Sequence, residues 1–495
     1  MSLHNRKSTE PYIRDDIEYR DYQVEGVRRM WNMPSFLLAD DMGLGKSLQS
    51  MTVAGVHASM RKKKRDKDTK ILVVCPVSLK YNWVNEVEKF TRMSYVMLEG
   101  PPKKRQKQLE EFSTLSNEFT GETKFLIVNY EQVKGHLAAI NKMMFDIVIA
   151  DEAHYLKNHN AIRTQAFMLI RTERSFLLTG SPMLNNPSEL WSLVNRIEPG
   201  KWGTYWQFVT RYCRFGGFDN KQIMGPKNLD ELTQRLNRIM IRRRKEDVLD
   251  LPSVMYVDKI VALTPLQKKL YDQVVKELVL DNGTEEVEIK SDLTKFLRLK
   301  QICGTTATVL EDGKDESAKL DLAEEDAEQI CAGGHKIIVF TQFRGVLAAY
   351  KARLQKRMPN VPLFELHGDV PMNTRQDAVN AWSNTEGAAV ILCMIQVAGV
   401  GLNMVAARHI QFLDEDFVPK INEQAVARAN RIGQQEEHAV QVFKYYVKGT
   451  VEDRVKKILK TKTGMFDQVV ESGGDSYVKA MMKEMKAQLK AEKAA

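Results

Sequence analysis

Gly43-Leu44-Gly45-Lys46-Ser47 places two glycines, a lysine and a hydroxyl directly after the apolar run Phe36-Leu-Leu-Ala39. Glycines let backbone N–H groups converge on phosphate oxygens, and a helix N-terminus just beyond them favours the anion. Asp41, Met42, Gly43, Leu44 and Gly45 would form the cradle; Lys46 would reach the β- and γ-phosphates of ATP, and the Ser47 hydroxyl would ligate Mg²⁺. The strict pattern has glycine at position 40, where this chain has Asp40. A second group, Asp151-Glu152-Ala153-His154, follows the apolar run Phe145-Asp-Ile-Val-Ile-Ala150. A buried strand would deliver both acids to its carboxyl end, where open α/β sheets place ligands. Asp151 can hold Mg²⁺ through water, and Glu152 can orient the attacking water. His154 reads either as a structural histidine or, beside this pair, as a coupling residue. Gln424, Arg428 and Arg431 recur at i, i+4 and i+7, on one face if helical. Arginine's planar fork suits the γ-phosphate, and such a finger can supply ~10³–10⁵-fold of rate in nucleotide hydrolases. Arg431 is the first candidate finger and Arg428 the second, with Gln424 positioning water or sugar; an exposed polar stripe is the alternative. A phosphate cradle and distant paired cations imply a nucleotide site assembled from two lobes, whose closing and opening on ATP would produce motion.

The elements that must position these residues alternate. Candidate strands in the first half are Phe36-Ala39, Ile71-Cys75, Phe125-Asn129, Phe145-Ala150 and Ser175-Leu178, several continuously apolar as in a parallel sheet covered on both faces. Residues 187 to 332 turn helical and charged. Strand-like runs return at Lys336-Phe340, Leu363-Leu366, Ala389-Cys393, His409-Leu413 and Ala439-Tyr445. Two βα series around a helical region predict an α/β protein of two doubly wound parallel-sheet lobes. From about 466 the Lys-, Met- and Ala-rich tail reads as a peripheral helix.

At 495 residues and 56.7 kDa, two or three domains are expected. The chain is 43% hydrophobic and 28% charged, a globular rather than a disordered balance. No apolar run approaches the ~20 residues of a membrane span, and the start lacks the apolar core of a secretory signal. Cys75, Cys213, Cys303, Cys331 and Cys393 are odd in number and lack CxxC spacing, against a disulfide framework or zinc site and for a reducing, intracellular setting. The net charge of +9 is compatible with a polyanionic partner. Its sharpest local source, Arg61-Lys-Lys-Lys-Arg65, reads as a solvated loop between helix and strand, a phosphate contact, or an import signal.

Asp-Glu-Ala-His with Asp-Asp-Met-Gly-Leu-Gly-Lys-Ser before it resembles a superfamily-two helicase of the Swi/Snf (sucrose non-fermenting) type, and the match runs over most of residues 19 to 465. The resemblance implies two tandem RecA-like lobes with helical insertions between them. Arg20-Asp-Tyr22-Gln23 is similar to the family's adenine-reading segment, with Gln23 on the base and Tyr22 beside it. Val74-Cys75-Pro76 through Trp83 is similar to motif Ia, which implies DNA contacts at Pro76, Lys80 and Trp83, and Asn129 joins them. Leu178-Thr179-Gly180-Ser181-Pro182 is similar to motif III: Thr179 and Gly180 would face DNA, and Ser181 would couple the nucleotide and DNA sites with His154. Lys336 to Phe343 is similar to motif IV, where Thr341 and Gln342 would meet phosphates or sugars. Val397-Ala-Gly399-Val-Gly401-Leu-Asn403 is similar to motif V, with Gly399 toward DNA and Gly401 toward the nucleotide. Asp414-Glu-Asp-Phe-Val-Pro419 departs from the family's Asp-Xaa-Xaa-Trp-Asn-Pro, and Ile395-Gln396 from its Thr-Arg pair, which puts fine DNA contacts in doubt. Met240-Ile-Arg242-Arg243-Arg244-Lys245-Glu246-Asp247 resembles the annealing-helicase (HARP-like) branch; the arginines read as a charged helix face on nearby acids, or as a DNA or interlobe brace.

The resemblance implies an N-terminal extension (1–18), lobe one (19–252), lobe two with the arginines (253–465) and a C-terminal tail (466–495). It implies an ATP- and Mg²⁺-dependent translocase on double-stranded or branched DNA, held through the backbone, with DNA-bound proteins as further partners, no membrane, and a monomer. A strand-separating helicase and a nucleotide-gated recruitment module are the rivals. The near-minimal length points to the cytoplasm of a prokaryote or a virus-infected host rather than a nucleus.

Overall fold

The computed structural model describes residues 3–4, 7–8, 10–65, 68–115, 124–180, 182–183, 186–216, 222–249, 254–280, 285–310, 313–398, 404–416, 419–430, 439–453 and 456. The chain divides into two compact units, Met1–Leu249 and Asp250–Ala495.

The first unit is built on β1 (Ser35–Leu38), β2 (Lys70–Cys75), β3 (Ser94–Met97), β4 (Lys124–Asn129), β5 (Phe145–Asp151) and β6 (Thr172–Leu178). An antiparallel hairpin of β7 (Cys213–Gly216) and β8 (Gln222–Pro226) comes next, and then the short β9 (Met240–Ile241). The sheet runs β9-β1-β6-β5-β2-β4-β3, parallel throughout. Every residue of β4 and β5 is buried, as helices on both faces require. This order puts the ends of β1, β6 and β5 side by side, so three separate stretches of sequence meet at one carboxyl edge. Helices α1 (Asp21–Trp31), α2 (Lys46–Arg65), α3 (Lys80–Phe90) and α4 (Tyr130–Met143) support that edge. Asn129 starts α4: its side chain accepts from Gln132 N (2.9 Å), and Gln132 Oε1 accepts from Asn129 N (3.1 Å), a reciprocal cap.

The second unit carries β10 (Val254–Val261), β11 (Ile337–Thr341), β12 (Leu363–Leu366), β13 (Val390–Met394), β14 (His409–Phe412) and β15 (Val440–Val447). They run β10-β15-β14-β11-β13-β12, again all parallel. Helix α5 (Pro419–Ala429) packs Ala425 and Ala429 into the core with Ile338, Phe340 and Trp382.

Two doubly wound parallel sheets are therefore present, and each apolar run named as a candidate strand lies in one. Edge strands escape that reading. β3 and β10 are half exposed, with Met255, Tyr256 and Ile260 of β10 open to solvent, so neither shows the continuous apolar run of a central strand. The hairpin β7–β8, β9 and β10 also correct the expectation that residues 187–332 are helical. Arg61–Arg65 is likewise no loop: α2 continues through Arg65, and Arg61 pairs with the buried Asp146. The tail beyond 466 lies outside the described residues. Among them no helix is long and apolar enough to cross a membrane.

Candidate active site

β1 ends at Leu38 and α2 begins at Lys46, so residues 39–45 form the turn that aims Lys46. Gly43 (φ 87°) and Gly45 (φ 74°) take a left-handed backbone that L side chains rarely adopt. At Gly45 a Cβ would also stand 2.5 Å from Gln23 Nε2. Lys46 Nζ donates to the carbonyls of Asp40 (2.8 Å) and Asp41 (3.2 Å), which fixes its ammonium over the turn. Gln23 donates to Leu44 O (3.3 Å) and accepts from Arg20 N (3.0 Å). It thus holds the turn and caps α1; a base would meet only what its amide has left over. Tyr22 is buried beside it, its phenol pushed up to about 12 chiefly by burial.

Asp151 ends β5 two strands away. Trp83 Nε1 donates to its Oδ2 (2.8 Å), Glu152 N to its Oδ1 (2.9 Å), and Tyr130 Oη to its carbonyl (2.7 Å). Burial, and then the neighbouring Glu152 charge, push the carboxyl up to about 7 against the pull of Trp83 and Lys46. A buried acid with excess negative charge around it fits a hard divalent cation, so the donor set suits Mg²⁺. Glu152 itself is left-handed (φ 49°, ψ 51°), an uncommon backbone for a side chain. Its Oε2 lies 3.1 Å from His154 Nδ1, which lies 3.4 Å from Thr179 Oγ1 at the end of β6. Gly180 completes the edge: a Cβ there would meet Met42 Cγ at 3.2 Å and Asp40 O at 3.7 Å. One edge therefore carries the phosphate turn, the acid pair and Thr179-Gly180 in contact, with Ser47 half-buried on the first turn of α2.

Several expected DNA contacts point inward instead. Lys80 is buried with its ammonium on Leu98 O, and Trp83 is fully buried against Asp151. Asn129 is consumed as the cap of α4, Pro76, Thr179 and Gly180 are buried, and Thr341 is buried on Asp414. These positions are buried among the residues of the sheet edges. Gln342 is half-buried; its N–H donates to Asp414 Oδ1 (3.0 Å) and its amide to Glu415 O.

In the second unit Gln424 and Arg428 lie one turn apart on α5. Gln424 is half-buried, whereas Arg428 is buried, and its carbonyl accepts from Met404 N (3.1 Å). Asn422 and Asp416 bond reciprocally at 2.8 Å, which ties α5 to the acidic turn after β14. Arg431, Gly399, Gly401 and Ser181 lie outside the described residues.

Sequence reasoning missed Trp83 and Tyr130 as holders of Asp151; it placed the arginine triplet on nearby acids without singling out Arg243 or Asp40. The arginine triplet is extended rather than helical, so its members alternate: Arg242 and Arg244 face solvent, and Arg243 turns inward onto Asp40. The signal was Asp40 itself, since an acid in place of a glycine beside a buried strand needs a cation.

Comparison with known proteins places this geometry. A profile of the SNF2-related domain matches residues 22–307, and one of the helicase conserved C-terminal domain matches residues 323–433. TATA-binding protein-associated factor 172 of Homo sapiens is 28% identical across 93% of this chain and 28% of its own length. An uncharacterized ATP-dependent helicase of Mycoplasma pneumoniae is 29% identical across 93% of this chain and 42% of its own. Chromodomain-helicase-DNA-binding protein 6 of Homo sapiens is 27% identical across 94% of this chain and 18% of its own. The chain thus spans less than half the length of these relatives, which come from a bacterium and a eukaryote alike and select no compartment. The Sulfolobus solfataricus SWI2/SNF2 ATPase core in complex with dsDNA covers 99% of this chain and 98% of its own at 25% identity, with a TM-score of 0.42.

Proposed function

Since the chain belongs to the SNF2-related family of helicase-like, DNA-dependent ATPases, we propose that it is an ATP-driven translocase on double-stranded DNA. The observation that carries the reading is the single edge on which Lys46, Asp151, Glu152 and Thr179 meet through adjacent strands. Lys46 exchanges its carbonyl partners for the β- and γ-phosphates of ATP, and the N–H groups of the turn receive the same oxygens. Ser47 and Asp151 hold Mg²⁺, which when bound neutralises charge on the phosphates. Trp83 and Tyr130 fix Asp151 for that task, and Glu152 orients the attacking water. His154, set between Glu152 and Thr179, carries the state of the acid pair to the 179–181 segment, Ser181 included.

Residues 19–252 act as the ATP-binding lobe and residues 253–465 as the lobe that supplies Gln424, Arg428 and Arg431. DNA binds both through its phosphates, so affinity falls with salt by a log–log slope of about −0.9 per phosphate neutralised. The name of the DNA-binding helicase among the relatives supports a nucleic-acid partner. Contact to backbone rather than base edges makes movement independent of sequence.

The test is ATP turnover with linear duplex and single strands, beside triplex displacement and strand displacement. Duplex should stimulate turnover and drive triplex displacement without unwinding, and Lys46→Ala should remove both. Strand separation would make the protein an unwinding helicase. Turnover indifferent to DNA would make it a nucleotide-gated recruitment module.

A further inference from the structure

Arg243 lies 203 residues from Asp40, yet its Nε donates to Asp40 Oδ1 (2.9 Å) and its Nη2 to Asp40 Oδ2 (2.6 Å). Such a two-pronged pairing fixes both orientation and distance. Asp40 is fully buried, and Gln49 from α2 joins the pair, donating to Asp40 Oδ2 (3.3 Å) and accepting from Arg243 Nη2 (3.2 Å). Arg243 Nη1 donates to the Tyr22 carbonyl on α1. The packing is tight enough that a Cβ at Gly26 would stand 1.9 Å from Gln49 Oε1 and 2.7 Å from Arg243 Nη2. Backbone bonds run alongside: Ala39 N to Ile241 O (2.8 Å) and Asp41 N to Arg243 O (3.0 Å), with Lys245 N on Asp41 Oδ2 (3.2 Å).

The residues gripped in this way, Asp40 and Asp41, are the two whose carbonyls hold the Lys46 ammonium. Gln49 and Gln23 both donate to Leu44 O in the same turn. We propose that Arg243 is a positioning residue for ATP binding: its guanidinium, locked on Asp40, sets the shape of the phosphate turn and the place from which Lys46 works. An ordinary phosphate turn has glycine at this point; here a buried ion pair shapes the backbone instead. The segment that supplies the cation, 240–249, is also the last of the first unit, and the chain enters the second at Asp250.

A merely structural ion pair would lower the folded fraction when broken and leave the folded molecules' ATP dependence alone. The test is steady-state turnover of the full chain on saturating duplex, against ATP concentration, with melting temperatures taken in parallel. Arg243→Lys keeps the charge and loses the fork, so KM for ATP should rise about tenfold, as for one lost charge-assisted hydrogen bond. The effect on KM should exceed that on kcat. Asp40→Asn, isosteric and neutral, should behave alike, and the double variant should be no worse than the worse single one, because both break one contact. An unchanged KM in either single variant, or kcat falling with KM constant in step with the folded fraction, would overturn the proposal. If Arg243→Lys does not fold, Asp40→Asn decides alone by the same KM criterion. The inference rests on the ATPase reading: a wild-type chain without turnover would sink that reading, whereas an active wild type with unmoved variants sinks this proposal only.

Discussion

In the first unit the carboxyl edge holds Asp151 by neutral donors, Trp83 Nε1 and Glu152 N, and its carboxyl is driven up to about 7. In the second unit the buried Glu452 and Asp326 are paired with lysines, Lys319 (2.5 Å) and Lys259 (2.9 Å), as is the half-buried Glu415 with Lys444 (2.5 Å), while the buried Asp414 is held by Thr341 and Gln342 N. Both sheets are parallel and capped by helices, so the architecture does not separate them; what differs is how Asp151 is held compared with Glu452 and Asp326. An acid matched by a lysine has its field spent on the fold. One held by neutral hydrogen bonds, with its charged form disfavoured by burial, is poised to gain from a bound cation. Chemistry on this reading belongs to the first unit, and the second contributes cations.

The comparison breaks most visibly at Arg431. Arg431→Ala should lower the DNA-stimulated rate by about 10³-fold or more, while ATP binding, proposed above to lie in the first unit, should stay near wild type. Steady-state turnover and equilibrium nucleotide binding would read the two separately. Full stimulated activity would remove the second unit's catalytic cation from Arg431 and pass the assignment to Arg428.

Trp83→Phe sharpens the first half of the contrast. It keeps the buried ring and removes the donor on Asp151, so kcat should fall about 10–100-fold, with a higher Mg²⁺ requirement, as for lost partners of metal ligands. Duplex affinity and its salt slope should not move. A changed slope with normal Mg²⁺ dependence would return Trp83 to the DNA side.

Arg61 tests whether the basic run works as charge or as structure. Asp146 is buried against it, with its carboxyl raised chiefly by that burial. Arg61→Gln should cost about 1–3 kcal/mol of stability by removing the cation from a buried acid that keeps only the Lys70 N–H (2.8 Å), read by denaturant melts, with no effect on the salt slope of duplex binding. A flatter slope at unchanged stability would revive the phosphate-contact reading.

The smallest effect is shared. His57 in the first unit and His409 in the second are both lowered from 6.5 to about 4, mainly by burial. The unfolded chain takes up these protons near 6.5 while the folded one resists them, so stability falls as pH drops from 6.5 towards 4. His57→Gln and His409→Gln should each flatten that acid limb, seen as a smaller loss of melting temperature. Equal steepness in the variants would assign the acid sensitivity to other groups.

Much of the fold and the site is legible in the sequence because a central parallel strand advertises itself. The run from Ile147 to Ala150 is apolar without a break, and the residues just past such a strand must sit at a ligand edge. Lys46, Asp151, Glu152 and His154 were accessible for that reason. Half-exposed strands carry no such signature, which hid β3 and β10. Direction of side chains was the other gap. Lys80 and Trp83 lie in a segment that resembles a DNA-tracking motif, yet helix α3 turns Trp83 beneath Asp151 and Lys80 onto Leu98 O. Long-range partners such as Arg243 and Asp40 were out of reach, since only strand order brings β9 beside β1.

Strand order in the second sheet has a consequence during synthesis. β10, which opens the second unit, pairs in register with β15, Val254 with Val440 through Val261 with Val447. The partners are 186 positions apart (440 minus 254), so at roughly 5–20 residues per second a ribosome needs about 10 to 40 s to deliver the second after the first. Through that interval β10 has no native neighbour for its backbone hydrogen bonds, and Met255, Tyr256 and Ile260 sit on it as apolar side chains. A nascent strand of this kind is open to mispairing with another chain and to chaperone capture until its partner is made.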